Sequence, residues 1–348
     1  MSAPGGERKK TACVTGGNGY IASALIKMLL DKGYAVKTTV RNPGSLKKCF
    51  AETTDDMAKN SHLKELQALG PLEILRASLD DEGSFDGAVA GCDYAFLVAA
   101  PVNVTKSDNP EQDTIEAAVR GTLNVMRSCV KAGTVRRVVL TSSAAGVYGS
   151  RRQGDGHVLD EDSWSDVDYL TTYKPTPMWA YGVSKVLLEK VASAFAAEHG
   201  LSLATVCPVI TVGAAPAPVV RTSVPNCLSL LSGDEAQFGV LRFIETECGA
   251  LSFVHVGDLC RAELFAAEEP AAAGRYICCS VNTTIVELAR FLEKKYPHSG
   301  ELLEEPRASL SSAKLVREGF EFRYKTLDEI YDDDVIEYGK ALGILPKN

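Results

Sequence analysis

A glycine-rich turn near the start of the chain constrains its fold more than any other feature. The apolar run from Thr11 to Val14 leads into Gly16 and Gly19, and apolar residues then recur at helical spacing. Glycine can take a positive φ without a Cβ clash, so Gly16 allows a sharp reversal of the chain. Gly19 lets the backbone approach a pyrophosphate, and a helix start offers N–H groups to phosphate. The sequence therefore predicts a strand, a tight turn and a helix that together bind a dinucleotide.

Strand and helix patterns alternate after this turn. Short apolar runs predict five further strands, over 35–40, 72–76, 94–99, 137–141 and 203–207. Helical spacing separates several of them, most clearly over 114–131, and it continues over 183–199. Such alternation indicates βαβ units, and continuously apolar strands indicate a parallel sheet that is covered on both faces. We therefore expect an α/β protein with a doubly wound, Rossmann-type parallel sheet.

The pattern changes after residue 207, where prolines interrupt short apolar segments. We predict that residues 1–207 form the nucleotide-binding domain. Residues 250–280 are expected to return to it, because they contain a further strand pattern over 275–279. Residues 208–348 are predicted to form a smaller, interleaved C-terminal region that binds substrate. Two amphipathic helices are expected in this region, over 285–295 and 327–342.

The composition excludes several classes of function. The net charge of −8 argues against nucleic-acid binding, which favours a basic surface. The first ten residues lack the apolar stretch of a signal peptide, and no long uncharged apolar run predicts a transmembrane helix. The 10 cysteines form no CxxC pair and no metal-binding spacing with the 5 histidines. We therefore expect reduced thiols, a cytoplasmic location and no metal.

The residues that follow the second predicted strand favour NADP(H) over NAD(H). NAD enzymes usually place an acidic residue there, about 20 positions beyond the glycines, to bind the ribose hydroxyls. This chain has Arg41 at that place, followed by Lys47 and Lys48. An arginine can bind a 2′-phosphate with its forked guanidinium group and stack on the adenine. A solvated surface arginine is the alternative interpretation.

Three polar residues predict the chemistry. Tyr181 and Lys185 stand four residues apart at the start of a predicted helix, so they share one face. A lysine ammonium beside a phenol favours the phenolate, which makes the phenol a usable proton donor near neutral pH. Ser143 follows the carboxyl end of the strand at 137–141, where doubly wound folds bind ligands, and can hold a substrate oxygen. We predict these three residues to be catalytic, and a chance surface pair is the alternative for Tyr181 and Lys185.

These motifs resemble those of the extended short-chain dehydrogenase/reductases over nearly the whole chain. The glycine turn, Ser143 and the pair formed by Tyr181 and Lys185 all match that family. The segments 253–258 and 274–279 are similar to its plant branch, which reduces flavonoids and cinnamoyl thioesters. The resemblance implies NADPH or NADP⁺ as the cofactor and a small flavonoid as the substrate.

The resemblance also implies roles for individual residues. Together with the motif residues, it predicts a cofactor site formed by Gly16, Gly19, Tyr20, Ile21, Arg41, Lys48, Ser78, Leu79, Val98, Ala99, Pro101, Tyr181, Lys185, Pro208 and Ile210. It predicts a substrate site formed by Ser143, Tyr148 and Tyr181. In this interpretation the ring of Tyr148 faces the substrate.

Several functions are compatible with these motifs. Residues 14–23 and 25–30 are most similar to the enzymes that reduce anthocyanidins, so hydride delivery to a flavylium ring is the expected reaction. Reduction of a dihydroflavonol ketone is the nearest alternative, and reduction of a cinnamoyl thioester is another. A non-catalytic NADP-binding sensor or scaffold is the alternative from a different class, because fold does not fix function. A monomer is expected.

Overall fold

The computed structural model describes residues 9–42, 54–100, 109–149, 156–175, 178–220, 222–293, 306, 308–331 and 333–345. Within these ranges the strands are β1 (Thr11–Val14), β2 (Ala35–Val40), β3 (Leu72–Arg76), β4 (Tyr94–Leu97), β5 (Arg137–Thr141), β6 (His157–Leu159), β7 (Leu203–Pro208), β8 (Ile210–Val212), β9 (Leu251–His255), β10 (Gly274–Cys278), β11 (Val281–Thr283) and β12 (Ala308–Leu310).

The helices are α1 (Tyr20–Asp31), α2 (Thr54–Leu66), α3 (Asp86–Val89), α4 (Ala117–Ala132), α5 (Val167–Tyr173), α6 (Trp179–His199), α7 (Ser223–Ser232), α8 (Glu235–Cys248), α9 (Val256–Glu268), α10 (Ile285–Glu293), α11 (Ala313–Arg317), α12 (Leu327–Ile330) and α13 (Asp333–Ala341). A π-helical stretch over Glu111–Glu116 leads into α4, and a 3₁₀ turn over Ala144–Gly146 follows β5. Among the described residues, no helix has the length and apolar character that crossing a membrane requires.

The large sheet has seven strands in the order β10-β7-β5-β4-β1-β2-β3, and all six pairings are parallel. The strand order reverses between β1 and β4, so the connections leave these neighbouring strands in opposite directions. Their carboxyl ends therefore border a crevice, which is where doubly wound sheets bind ligands. The predicted fold class is confirmed.

Helices cover both faces of the large sheet, as the continuously apolar strands predict. On one face, Leu25 of α1 and Leu259 of α9 belong to the same buried cluster as Val139 of β5. On the other face, Met126 of α4 packs in a second cluster with Val138. Val138 and Val139 are neighbours in sequence and point to opposite faces because side chains alternate along a strand.

The C-terminal part of the chain contributes to more than one sheet. Strand β10 pairs in parallel with β7, and α9 packs on the large sheet, so residues 256–278 return to it. Residues 251–255, which were expected to return with them, instead form the central strand of a small sheet with the order β11-β9-β8. Strands β6 and β12 form a separate parallel pair. The assignment of residues 208–348 to substrate binding stays a prediction.

The single helix predicted over 327–342 is wrong, because the structure divides it into α12 and α13. Tyr331 follows α12 with φ −97° and ψ 42°, outside the α-helical region. Its ring packs edge-on against Phe253 of β9 and Phe291 of α10, with ring centroids 6.0 and 5.8 Å away. Burial of this aromatic ring in the core beside the small sheet outweighs the local helical spacing.

Candidate active site

The glycine turn joins β1 to α1 at the crevice between β1 and β4. Gly16 has a φ of 74°, and a Cβ atom at this residue would lie 3.0 Å from the Cβ of Ala99. Gly19 is the N-cap of α1, and its N–H donates to the carbonyl of Gly16 at 2.8 Å. Within the described part of the chain no side chain caps this helix end, so its first amide groups suit an anion.

Two threonine hydroxyls attach the turn to the strands on either side of β1. Thr15 Oγ1 accepts hydrogen bonds from the amides of Val98 and Ala99 at 3.0 and 2.9 Å, just beyond β4. Thr39 Oγ1 of β2 accepts a hydrogen bond from the amide of Gly16 at 3.2 Å. The turn is therefore held in place from both sides before any ligand binds.

Arg41 directly follows the last residue of β2 and is exposed. The preceding residues of that strand end are Thr38, Thr39 and Val40, so no acidic side chain occupies the place where ribose hydroxyls are usually bound. This end of the sheet therefore fits a 2′-phosphate. Lys48 and Pro101, which were predicted to contact the cofactor, lie outside the described residues, as does the loop at 151–155.

Other predicted cofactor residues are placed near the same crevice. Ser78 and Leu79 follow β3, and the Leu79 carbonyl accepts a hydrogen bond from the side chain of Asn124 at 2.9 Å. Tyr20 opens α1, but its hydroxyl donates to the carbonyl of Gly213 at 2.6 Å and so links α1 to the residues after β8. Ile21, the next residue, is partly buried against the core of the large sheet. The cofactor contacts of these residues stay predictions.

Pro208 and Ile210 stand where the chain passes from the large sheet to the small one. Pro208 is the last residue of β7 and is buried, while Ile210 begins β8 and is partly buried. The carboxyl end of β7 lies beside that of β5, because the two strands are paired in parallel. This location fits a contact with a nicotinamide ring, and that contact stays a prediction.

Helix α6 carries Tyr181 and Lys185. The helix begins at Trp179, four residues before the predicted start, so Tyr181 lies in its first turn. Lys185 is only 4% exposed, and its Nζ lies 5.3 Å from the centroid of the Tyr181 ring. Both side chains line a cleft that also includes Ala99 beside the glycine turn and Thr141 at the end of β5.

Ser143 begins the 3₁₀ turn that packs against α6. Its backbone is extended, and its Oγ accepts a hydrogen bond from the amide of Ala145 at 3.2 Å. The turn fits closely on the helix, because a Cβ atom at Gly182 would lie only 3.2 Å from the carbonyl oxygen of Ala145. A Cβ atom at Gly146 would lie 3.4 Å from the Cβ of Lys185. The structure therefore brings the Ser143 turn against the helix that carries Tyr181 and Lys185.

The sequence profile of the NAD dependent epimerase/dehydratase family matches residues 12–279, which include the glycine turn and the whole cleft. The chain belongs to this family. The match begins at the second residue of β1 and ends one residue beyond β10, so it contains all seven strands of the large sheet apart from Thr11.

Two curated relatives resemble this family member over nearly their whole length. An anthocyanidin reductase ((2S)-flavan-3-ol-forming) from Vitis vinifera is 47% identical over 343 residues, which cover 97% of each chain. A dihydroflavonol 4-reductase from Zea mays is 40% identical over 354 residues, covering 98% of this chain and 92% of the relative. The resemblance to plant flavonoid reductases is therefore confirmed.

Two solved structures share the fold. Vestitone reductase from alfalfa superposes with a TM-score of 0.77 at 32% identity, covering 97% of this chain and all of that one. The yeast methylglyoxal/isovaleraldehyde reductase Gre2, solved as a complex with NADPH, gives a TM-score of 0.76 at 23% identity, covering 96% and 100% of the two chains. The second likeness concerns the fold alone.

Tyr148 is partly buried and packs, beside Val209, against a small apolar cluster that includes Leu159 and Ile277. Burial raises the pKa of its hydroxyl, and a hydrogen bond with the thiol of Cys248 acts in the same direction. Since Cys248 is the last residue of α8, Tyr148 connects the segment after Ser143 to the C-terminal region. Its predicted contact with substrate stays a prediction.

Sequence reasoning missed His62, a buried residue of α2 that supports the glycine turn. Its Nε2 lies 3.2 Å from the carbonyl oxygen of Gly17. Burial lowers the pKa of His62, so the ring is neutral near pH 7 and can donate to this carbonyl through Nε2. A separation of 45 positions leaves no local signal for the contact.

Two buried glutamates at the end of β5 were also missed. Thr141 Oγ1 donates to Glu263 of α9 at 2.5 Å, and the hydroxyl of Ser142 donates to Glu189 of α6. Both glutamates are fully buried, and burial raises the pKa of Glu263 to about 7. The sequence contains a signal for Glu189, which stands four residues after Lys185 on the same helix face. No comparable signal points to Glu263.

Proposed function

We propose that this chain is an NADPH-dependent reductase that converts anthocyanidins to flavan-3-ols. The observation that carries the proposal is the packing of the Ser143 turn on α6, which places it beside the cleft lined by Tyr181 and Lys185. That cleft also reaches Ala99, which contacts the glycine turn, so the cleft and the turn belong to one continuous crevice. The name of the relative from Vitis vinifera supports the substrate class.

The conversion of a flavylium cation to a flavan-3-ol takes up two hydrides and one proton, and two successive NADPH molecules would supply the hydrides. Gly16, Gly19 and the first amides of α1 would hold the pyrophosphate of the bound NADPH, because this helix end has no side-chain cap among the described residues. Arg41 would bind the 2′-phosphate, since a guanidinium group forms paired hydrogen bonds with phosphate oxygens. The NADPH in the Gre2 structure is consistent with this choice for a chain of the same fold.

The three polar residues at the cleft would orient the substrate and supply the proton. The ammonium of Lys185 lies beside the Tyr181 ring and favours negative charge on the phenol oxygen as its proton leaves. Ser143 Oγ would donate a hydrogen bond to a substrate oxygen. A flavylium cation accepts hydride readily because it is positively charged. We therefore expect Tyr181 to contribute less here than in the reduction of a ketone.

The aromatic ring of Tyr148 favours the interpretation that the substrate is flat and cationic. Its ring is only partly buried, although its hydroxyl is engaged with Cys248. An aromatic face can stack on a planar ring system and attract a cation. The same proposal includes a monomeric enzyme of the cytoplasm, which is compatible with the free thiols of the described cysteines.

The test measures NADPH oxidation by the purified chain with cyanidin and, separately, with dihydroquercetin. We expect cyanidin to give a flavan-3-ol and dihydroquercetin to give little or no 4-reduced product, with both products identified by chromatography. Clean 4-reduction of dihydroquercetin with cyanidin untouched would instead make the chain a dihydroflavonol reductase. Tight NADPH binding without turnover of any flavonoid would favour the sensor.

A further inference from the structure

Glu189 forms the centre of a buried polar network beneath the proposed catalytic residues. It lies four residues after Lys185 on α6 and is fully buried. One carboxylate oxygen accepts a hydrogen bond from the hydroxyl of Ser142, the residue immediately before Ser143. The other accepts a hydrogen bond from Arg275 Nε at 2.7 Å. A single side chain therefore connects the helix of Lys185, the strand end at Ser143 and the edge strand β10.

The Glu189 carboxylate interacts with more than one cation. Arg275 on β10 and Lys185 on α6 are both cations that face it, and Cys207 Sγ of β7 lies 3.8 Å from each of its oxygens. Burial raises the pKa of Glu189, while the positive charges of Arg275 and Lys185 oppose that change. Glu189 thus forms an ion pair with Arg275 and interacts electrostatically with Lys185, in a region of low dielectric constant where such interactions are strong.

Arg275 is fixed from several directions, so Glu189 is fixed as well. The guanidinium carbon lies 3.6 Å from the centroid of the Trp164 ring. Its Nη1 donates to the carbonyls of Glu161 and Ser163 at 2.7 and 2.8 Å. These contacts leave the Glu189 carboxylate little freedom to move.

The network continues to the far side of the Ser143 turn. Ser165, which follows Trp164, donates its hydroxyl to the carbonyl of Ala145 at 2.8 Å and accepts a hydrogen bond from the amide of Gly149 at 2.7 Å. A Cβ atom at Gly146 would also lie 3.0 Å from Glu189 Oε1, so the turn rests directly on this carboxylate. The turn is therefore held both by Glu189 and through the segment that binds Arg275.

We propose that Glu189 is a positioning residue of the reductase, which fixes Lys185 relative to Ser143 and supplies the counter-charge of the Lys185 ammonium. This inference rests on the proposed function, because Lys185 and Ser143 matter to catalysis only if the cleft reduces a substrate. Glu189 itself does not line the cleft and acts through Lys185 and Ser142.

Three variants separate this role from simple structural support. Glu189→Gln keeps the shape of the side chain and removes its charge. It also leaves Arg275 buried without a counter-charge, which strongly destabilises proteins. The double variant Glu189→Gln/Arg275→Met removes both charges and avoids that problem. Glu263→Gln is the matched control, since Glu263 is an equally buried glutamate that binds the adjacent residue, Thr141, from the opposite face of the sheet.

We expect the double variant to fold, to melt near the wild type and to lose about 10- to 100-fold in kcat with cyanidin and NADPH. The alkaline limb of its pH–rate profile should move to lower pH, because the carboxylate charge that interacts with the Lys185 ammonium is gone. Glu263→Gln should keep the wild-type kcat and the wild-type profile. A purely structural role for Glu189 would not move the profile.

Wild-type kcat and an unchanged profile in the double variant would overturn the proposal, since Glu189 would then serve only to neutralise Arg275. An equal loss of kcat in Glu263→Gln would also overturn it. A readout without turnover is the pH dependence of Lys185 labelling by an amine-reactive reagent, quantified by peptide mass spectrometry. If the wild type reduces no flavonoid, the proposed function fails. Labelling of Lys185 that begins at lower pH in the double variant than in the wild type still supports the counter-charge, and the same pH dependence in both proteins contradicts it.

Discussion

A Cβ atom at Gly16 would lie 3.0 Å from the Cβ of Ala99 and 3.2 Å from its Cα. Gly16 also has a φ of 74°, which side chains other than glycine rarely adopt. The glycine turn and the end of β4 are thus in contact at the base of the crevice, and the contact exists only because Gly16 has no side chain.

Gly16→Ala is therefore expected to weaken NADPH binding as well as to destabilise the fold. Gly33→Ala is the matched control, because Gly33 has a φ of 86° but a Cβ atom there would have no atom of the described residues within 4 Å. The control should cost about 1 kcal/mol of unfolding free energy through backbone strain and leave the NADPH Kd unchanged. Fluorescence titration with NADPH measures the binding. Equal Kd values in the two variants would contradict a role for the close approach of Gly16 to Ala99.

Arg41→Ala should raise the KM for NADPH by roughly 10- to 100-fold, because loss of a charge-assisted hydrogen bond to phosphate costs about 1.5–3 kcal/mol. The KM for NADH should stay the same, since NADH has no 2′-phosphate, and NADH therefore serves as the internal control. Steady-state kinetics with both cofactors make the comparison. A similar change in both KM values would remove the basis for the NADP(H) assignment.

Lys185→Ala should lower kcat by about 10²-fold, the lower end of the range that general acid catalysis contributes, because a flavylium cation depends less on the proton donor than a ketone does. Without the cation that favours the phenolate, the pH–rate profile should also move to higher pH. Lys190→Ala is a suitable control, because Lys190 is exposed on the same helix. Its Nζ lies 5.3 Å from the centroid of the Trp164 ring. A Lys185→Ala enzyme with nearly normal kcat and an unchanged profile would rule out the catalytic role.

Glu263→Gln should change how stability depends on pH. The ordinary pKa of this carboxyl is 4.5, and burial raises it to about 7 in the folded chain. Between these values the folded state keeps the proton and the unfolded state loses it, so stability falls as pH rises, by about 3 kcal/mol in total. The facing thiols of Cys260 and Cys278 stay neutral, because burial raises their pKa values.

The Gln variant cannot lose this proton, so its stability should decline less between about pH 5 and about pH 8 than that of the wild type. Urea unfolding of both proteins at the two pH values measures the difference. Parallel curves for variant and wild type would show that Glu263 does not titrate in this range.

Replacement of Tyr148 separates its ring from its hydroxyl. Tyr148→Ala should raise the KM for cyanidin by roughly 2- to 30-fold, since a cation–π contact contributes about 0.5–2 kcal/mol. Tyr148→Phe keeps the ring and removes the hydrogen bond with Cys248, so it should lower stability by about 1 kcal/mol and leave that KM unchanged. If the Phe variant raised KM as much as the Ala variant, the hydroxyl would be the group that matters.

Local patterns were sufficient for the elements of the large sheet. Strands β2, β3 and β5 have the predicted ends, because each is a short apolar run bounded by polar residues, glycine or proline. The place of Ser143 beside the crevice also followed from position, since the carboxyl ends of parallel strands lie at one edge of a sheet. The catalytic roles of Ser143, Tyr181 and Lys185 stay predictions.

Contacts between distant positions could not be predicted in this way. Thr141 and Glu263 are 122 positions apart, and neither lies in a pattern that points to the other. The place of β9 in the small sheet depends on pairing with β8 and β11, whose three-residue strands carry too few residues to show a period. The end of α12 at Tyr331 likewise reflects packing against rings from two other elements.

Tyr20 links the first turn of α1 to the residues just after β8 in the small sheet. Its backbone opens α1 beside the glycine turn, and its hydroxyl donates a hydrogen bond to the carbonyl of Gly213, just after β8. Local unfolding that moves Gly213 must therefore break a hydrogen bond at the first turn of α1. A ligand that rigidifies the first turn of α1 is therefore expected to slow the opening of the residues just after β8, which amide hydrogen exchange would record as added protection at Gly213.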